Sequence, residues 1–178
     1  MNIPEKNIII IGRCIGSGPA IHLAAYKNPA GLFLISPLLS IKAAVESIFN
    51  KIKMGWLFKA FISERFDNSL LMEKVTCPTL FIHGKEDDVI PWNHSTELIK
   101  FCKCKSKLIT PLKMKHNVIH IAKDIVKNIY DFILYTMDEE FLEELDNEII
   151  DFSHSEISDS ECEATDHFPS FMFVEPNK

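Results

Sequence analysis

Residues 8–19, Ile-Ile-Ile-Ile-Gly-Arg-Cys-Ile-Gly-Ser-Gly-Pro, constrain the fold of this chain more than any other segment. Four consecutive isoleucines leave no polar face, and β-branched side chains suit a strand covered on both sides, as in a parallel sheet. Gly12 and Gly16 then flank Cys14 at two residues on either side. That spacing has the form of the G-x-S-x-G elbow, in which a nucleophile sits on a strained turn between a strand and a helix. Neighbours that carry side chains would clash in such a turn, which accounts for glycine at both positions. Ala20, Ile21, Leu23 and Ala24 supply a helix face toward the sheet. Pro19 fits the first helical turn, where a missing N–H costs little. The helix N-terminus then falls beside the Cys14 thiol, where its dipole favours a thiolate and a developing oxyanion. Ser17 would need glycines at 15 and 19, which are Ile15 and Pro19, and reads as a first-turn helix residue. The plain alternative for Cys14 is a small buried hydrophobe, and the glycine spacing argues against it.

Strand and helix signals alternate after the elbow. Gly31-Leu-Phe-Leu-Ile-Ser36-Pro37 reads as a second buried strand, ended by Pro37. Residues 40–66 carry helical spacing, broken near Gly55 into two helices. Thr76–Gly84 predicts a third strand, residues 91–104 a helix, and Lys107–Pro111 a short fourth strand. Residues 118–137 predict a long amphipathic helix with Ile121, Ile125, Ile129, Phe132 and Ile133 on one side. This order argues for an α/β class with a mostly parallel sheet of about four strands and flanking helices. The 178 residues suit one domain, expected over 1–137, followed by an acidic, largely disordered tail over 138–178. Within that tail, residues 168–174 form an apolar patch that reads as a segment folding back on the body or loosely attached, or as a docking motif.

Charge follows the same division. Residues 1–136 carry 18 Lys+Arg against 11 Asp+Glu, a net of +7, whereas residues 137–178 carry one lysine against 14 acids, a net of −13. The clustered lysines at 100, 103, 105, 107, 113 and 115 come without a recognised nucleic-acid-binding module, so no nucleic-acid partner is expected. No apolar run reaches transmembrane length, and no signal peptide is read at the N-terminus. Five cysteines without a framework spacing read as reduced thiols of a cytoplasmic protein. Cys102-Lys103-Cys104 lacks the spacing and the second pair of a zinc site, and neither a metal nor a cofactor is expected.

A cysteine nucleophile needs a base, and the base needs an orienting group. His83-Gly84-Lys85-Glu86-Asp87-Asp88-Val89-Ile90-Pro91 follows the third strand, and its register selects Asp87 over Glu86 and Asp88 as the acid. The bland alternative is a polar loop with a capping aspartate. His116 follows the fourth strand, just before the last long helix, and is the preferred base among seven histidines. His22 and His94 fall within predicted helices, His83 shapes a turn, His120 lies one turn into the last helix, and His154 and His167 lie in the tail.

Together these segments resemble the C-terminal half of an α/β-hydrolase over roughly residues 7–136. The resemblance is nearest the branch of protein depalmitoylases and serine-aminopeptidase-like hydrolases. It rests on residues 12–20, Leu34-Ile-Ser-Pro37, Ser40-Ile-Lys42, Val75-Thr-Cys-Pro78, Phe81-Ile-His-Gly84, Asp87 and His116-Asn117. It implies that Cys14, Asp87 and His116 stand where the family has serine, aspartate and histidine, with the Ile15 N–H as one oxyanion donor. It also implies an acyl ester or thioester substrate, with an acylated protein and peripheral membrane contact as the sharper expectations.

Three departures accompany it. Cysteine replaces serine, Lys115 stands where glycine usually precedes the histidine, and the family's N-terminal strands are absent, with the loop that donates a second oxyanion N–H. Lys115 is expected to disfavour an imidazolium, and the Ile8–Ile11 strand to present a bare apolar edge. Two readings therefore stand: a Cys-Asp-His acyl hydrolase, or a non-catalytic hydrolase-like binding protein or fragment of a larger hydrolase.

Overall fold

Strand β1, Ile9–Arg13, is the isoleucine run, and it lies inside a five-stranded sheet. The computed structural model describes residues 3–50, 67–136 and 171–174. In chain order the remaining elements are α1 (Ser17–Tyr26), β2 (Gly31–Ile35), α2 (Ile41–Asn50), α3 (Asn68–Met72), β3 (Thr79–Ile82), α4 (Asn93–Leu98), β4 (Ser106–Ile109), α5 (Lys127–Thr136) and β5 (Phe171–Val174). The sheet order is β4-β3-β2-β1-β5. The first four strands are parallel, with Ile10 opposite Leu32, Leu34 opposite Phe81, and Phe81 opposite Leu108. This is the mostly parallel sheet that the alternation of elements predicts, and the partial α/β-hydrolase sheet that the resemblance implies.

Period-two alternation divides the core into two layers. Ile10, Leu32, Leu34 and Phe81 point to one face, where Ala20, Ile21 and Ala24 of α1, Met72 of α3 and Leu98 of α4 cover them. Ile9, Phe33, Ile35, Leu80 and Ile82 point to the other, covered by Ile125, Phe132 and Met114. Every residue of β2 and β3 is buried, as central strands of a two-sided sheet must be. The Phe132 ring meets Phe33 edge-on, with centroids 6.0 Å apart. Each such fully buried side chain contributes about 1.5–3 kcal/mol relative to exposure.

Several expected elements are shorter than their sequence patterns. The 91–104 helix runs as α4 and then a tight turn at Ile99–Phe101, ending where Cys102 adopts extended backbone. The last helix begins at Ile121 with a wide turn through Val126 before α5. Gly55 and the second helix expected over 40–66 lie outside the described residues. The segments that flank residues 51–66 are tied together: the Asn68 side chain donates to the Leu38 carbonyl at 2.7 Å, and Ser40 pairs with Asp67. Asp67 also caps α3, accepting from the N–H groups of Ser69 and Leu70.

The β1 edge is not bare, as the sequence led us to expect. Strand β5 pairs with it antiparallel, Val174 opposite Ile9 and Phe171 opposite Gly12. The apolar 168–174 patch thus supplies four residues of backbone pairing to the edge that would otherwise be open. Most of the expected tail lies outside the described residues.

Candidate active site

Because β1 to β4 run parallel, the segments that follow them emerge on one edge of the sheet. Cys14 follows β1, Ser36 follows β2, the Asp87 turn follows β3, and His116 follows β4. Sequence order has therefore become spatial convergence.

The elbow is strained at the nucleophile position itself. Cys14 has φ 49, a left-handed conformation that a residue with a Cβ seldom adopts. Gly16 has φ −64, so its lack of a side chain is not needed for a left-handed turn. Gly12 is needed for space: a Cβ there would lie 2.6 Å from the Ala20 Cβ and 2.9 Å from the Gly16 carbonyl oxygen. Helix α1 can then close against β1. Ser17 is the first residue of α1, as its pattern predicts, and it braces the turn: its hydroxyl donates to the Cys14 carbonyl at 2.6 Å and accepts from the Leu38 N–H at 3.1 Å.

Asp87 and His116 are joined directly. His116 Nδ1 lies 2.8 Å from Asp87 Oδ2 and 3.1 Å from Oδ1. Asp87 Oδ1 accepts the N–H groups of Val89 at 3.0 Å and Ile90 at 2.8 Å, which fixes the carboxylate. A third group comes from His83, whose Nε2 lies 3.4 Å from Asp87 Oδ2. His83 is fully buried between the Ile90 carbonyl, 2.9 Å from Nε2, and the Ser95 hydroxyl, 2.7 Å from Nδ1. Gly84 permits this junction, because a Cβ there would meet the Met114 carbonyl oxygen at 2.0 Å. The backbone is thus close-packed where the Asp87 turn passes the His116 loop.

With Nδ1 committed to Asp87, Nε2 is the nitrogen left for the thiol, and Cys14 and His116 each favour the other's charged form. Burial is the largest influence on Cys14 and opposes its ionisation. The hydrogen bond and charge of His116, the Ile15 N–H and the Arg13 charge outweigh it, leaving the thiol below its ordinary value. Burial is likewise the largest influence on His116 and favours its neutral form. Hydrogen bonds and charge from Asp87 and Cys14 reverse that and push it up to about 9. For Asp87, burial again opposes the charge, and His116, His83 and the Ile90 N–H overcome it, holding the carboxyl well below the usual range. Lys115, expected to oppose an imidazolium, is an exposed side chain whose backbone N–H donates to the Val118 carbonyl at 3.0 Å. Asp87 governs the histidine instead.

Three positions escape the sequence reading. Arg13 lies beside the elbow cysteine and its Nη2 donates to the His116 carbonyl at 2.6 Å and to Asn117 Oδ1 at 3.1 Å. It clamps the histidine loop to β1, and a lone cation inside an apolar elbow was its visible signal. His83 acts on Asp87 as well as shaping its turn. Ser36, with φ 46 and a buried hydroxyl unpartnered among the described residues, is given no role of its own by the sequence. His94 serves elsewhere: it accepts the Leu39 N–H at 3.1 Å, and burial pulls it down to about 4. Among the described residues no cluster of three His, Cys, Asp or Glu side chains is arranged to hold a metal ion. No helix there is long and apolar enough to cross a membrane.

A thiol against an imidazole that a buried carboxylate orients can activate sulfur for attack on a carbonyl. The fold is a partial α/β-hydrolase fold, and the similarities to known proteins support that superfamily. A family model described as serine hydrolase (FSH1) matches residues 40–121, a segment that contains Asp87 and His116. The chain is 31% identical over 134 residues to alpha/beta hydrolase domain-containing protein 17B of Homo sapiens, covering 74% of this chain and 43% of that protein. It is 29% identical over 131 residues to aho-3 of Caenorhabditis elegans, another alpha/beta hydrolase domain-containing protein, covering 74% and 37%. The chain thus spans about two fifths of the length of these relatives. Among solved structures it resembles acetyl xylan esterase 1 from Thermoanaerobacterium, with TM-score 0.58 at 16% identity over 76% of this chain and 47% of that one. It also resembles Est1E from Butyrivibrio proteoclasticus, with TM-score 0.53 at 19% identity over 70% and 59%.

Proposed function

We propose that the chain is an acyl ester or thioester hydrolase in which Cys14 is the nucleophile, His116 the general base and acid, and Asp87 the group that orients His116. The observation that carries this reading is the Asp87–His116 hydrogen bond at 2.8 Å, with Cys14, whose thiol His116 favours as a thiolate, in a left-handed turn at a helix N-terminus.

In the first step the Cys14 thiolate attacks the acyl carbonyl, and the oxyanion forms toward the Ile15 N–H, which already faces the sulfur. The tetrahedral intermediate collapses, the C–O or C–S bond to the leaving group breaks, and His116 protonates the departing alkoxide or thiolate. Water, deprotonated by His116, then attacks the acyl-cysteine carbonyl. The carboxylic acid leaves and Cys14 is regenerated.

The rim of the site favours an acyl chain. Ile15, Leu112 and Val118 are exposed large apolar residues on the segments that carry Cys14 and His116. Lys113 and Lys115 stand exposed between them. Such a rim fits a fatty acyl group presented by an acylated protein at a membrane surface. The four cysteines among the described residues are all free thiols, in keeping with a cytoplasmic setting.

The test is release of acid from a short acyl thioester and from an S-acylated peptide, followed with wild type, Cys14→Ala and His116→Ala. Turnover lost in both variants supports the reading, and turnover that survives Cys14→Ala overturns it. The competing reading, a hydrolase-like binding protein, draws on cysteine standing at the nucleophile position. It predicts that wild type forms no acyl-cysteine while still binding acylated peptide.

A further inference from the structure

Cys102 and Cys104 lie at the opposite edge of the sheet from Cys14, between the Ile99–Phe101 turn and the start of β4. The reading as an acyl hydrolase makes no use of them. Their sulfur atoms are 3.1 Å apart. A disulfide bond is about 2.05 Å long, so closure moves the two sulfurs together by about 1 Å. Both residues are partly buried rather than sealed in the core. The pair is not a metal centre: among the described residues no three-ligand cluster includes it.

We propose that Cys102 and Cys104 are a reversible dithiol–disulfide site, oxidised by small disulfides of the glutathione class. The two sulfurs already touch across one intervening residue, and the surroundings give them different roles. The hydrogen bond from Cys104 is the largest influence on Cys102 and brings its thiol down to about 6 against the opposing effect of burial. Cys104 is correspondingly pushed up and keeps its proton, with the Thr79 hydroxyl 3.4 Å from its sulfur. Cys77, the third thiol of the neighbourhood, is buried, and burial pushes it up to about 12, so it stays a bystander. Lys103, between the two cysteines, is exposed and paired with Glu73 at 2.9 Å, and Lys105 is exposed next to them. Their positive charge suits the anionic peptide of an incoming glutathione disulfide.

The chemistry balances in two exchanges. The Cys102 thiolate attacks one sulfur of the small disulfide, its S–S bond breaks, and one thiolate leaves. Cys104 then loses its proton and attacks the mixed disulfide at Cys102, releasing the second small thiolate. The protein loses two electrons, the small disulfide gains them, and the reverse exchanges restore the dithiol.

The experiment equilibrates the reduced full chain with mixtures of reduced and oxidised glutathione at neutral pH, then quenches with acid. Intact mass and tryptic maps are read without reduction. Trypsin cuts after Lys103, so the two halves stay joined only where Cys102 is bonded to Cys104. The expected product has lost two hydrogens, with its bond mapped to this pair and with Cys14, Cys77 and Cys162 outside it. Cys104→Ser is expected to stop at one glutathionyl adduct on Cys102. In Cys102→Ser the remaining Cys104 is expected to react at least about tenfold more slowly. Thermal melts of both variants check that they are folded. Wild type in which Cys102 or Cys104 stops at a glutathionyl adduct overturns the proposal, as does a disulfide from either of them to another cysteine. So does a pair that stays reduced across the whole range of mixtures.

Discussion

Replacing Asp87 with asparagine tests whether a carboxylate one residue removed controls the Cys14 sulfur. Asparagine is nearly isosteric and its carbonyl oxygen can still accept the Val89 and Ile90 N–H groups, so the turn is kept. What goes is the charge 2.8 Å from His116 Nδ1. With Asp87 in place His116 is pushed up to about 9 from an ordinary 6.5. At pH 7.5 that makes about nineteen in twenty molecules imidazolium, against about one in ten at the ordinary value. Burial, the largest influence on this ring, disfavours the cation, so without Asp87 the ring falls back toward its ordinary value. The imidazolium partner of the Cys14 thiolate is then depleted by about tenfold. The asparagine amide nitrogen also cannot accept from Nδ1, which selects the wrong tautomer for a base facing the thiol. The assay is the rate of Cys14 alkylation by iodoacetamide between pH 5 and pH 10, with the modified peptide identified. Wild type should show thiolate reactivity well below the ordinary thiol range, and Asp87→Asn should shift the profile upward and lose about tenfold at pH 7.5. Superimposable profiles would refute the coupling of Asp87 to Cys14 through His116.

Four further outcomes rest on the same geometry. Arg13→Ala, which frees the His116 loop from β1, should lower the Cys14 alkylation rate while leaving the melting temperature nearly unchanged, and Arg13→Lys should restore part of it. Gly84→Ala places a Cβ against the Met114 carbonyl and should cost about 1–3 kcal/mol in urea unfolding. Phe132→Ala removes the ring that packs on Phe33 and should cost about 3–5 kcal/mol by the same measurement, without altering the pH profile of Cys14. The stability that Asp87 confers through His116 also has a sign: the folded value of His116 is raised, so this contribution is whole below about 6.5 and is lost as pH rises through about 9. In a Cys14→Ser background, the melting-temperature difference between the chain that keeps Asp87 and the one that also carries Asp87→Asn should therefore shrink between pH 6 and pH 10.

What the sequence discloses is what local chemistry repeats. The isoleucine run marks a strand inside the sheet and Gly12 serves close packing beside Cys14, so β1, the elbow and α1 are legible within one window. Asp87 and His116 are legible because both follow strands of a parallel sheet, whose carboxyl ends meet. Arg13, His83 and Ser36 are not, since their roles depend on contacts across more than one element: Arg13 with a loop over a hundred residues away, His83 with Ser95 and Ile90. The pairing of β5 with β1 is hidden for the same reason. Residues 168–174 look apolar, but no local pattern says which edge they seek.

The direction of the Cys14 shift bears on the meaning of the cysteine. A cysteine retained only as a packing residue would feel burial alone, and burial drives a thiol up, as it does Cys77 to about 12. Cys14 feels the same upward push and still ends below its ordinary value, because a histidine, a backbone N–H and an arginine all face it. Two cysteines in one fold, both removed from water, are thus driven in opposite directions by what surrounds them. Sulfur also tolerates a poorer oxyanion site than oxygen at the start of the reaction, since a thiolate attacks without first losing a proton to its base. With His116 pushed up to about 9, a preformed thiolate suits this elbow better than a serine, which needs a neutral histidine as its base. Cys14→Ser is therefore expected to lose turnover on a thioester rather than gain it, and a serine variant that outperforms wild type would mark the cysteine as a disabling substitution.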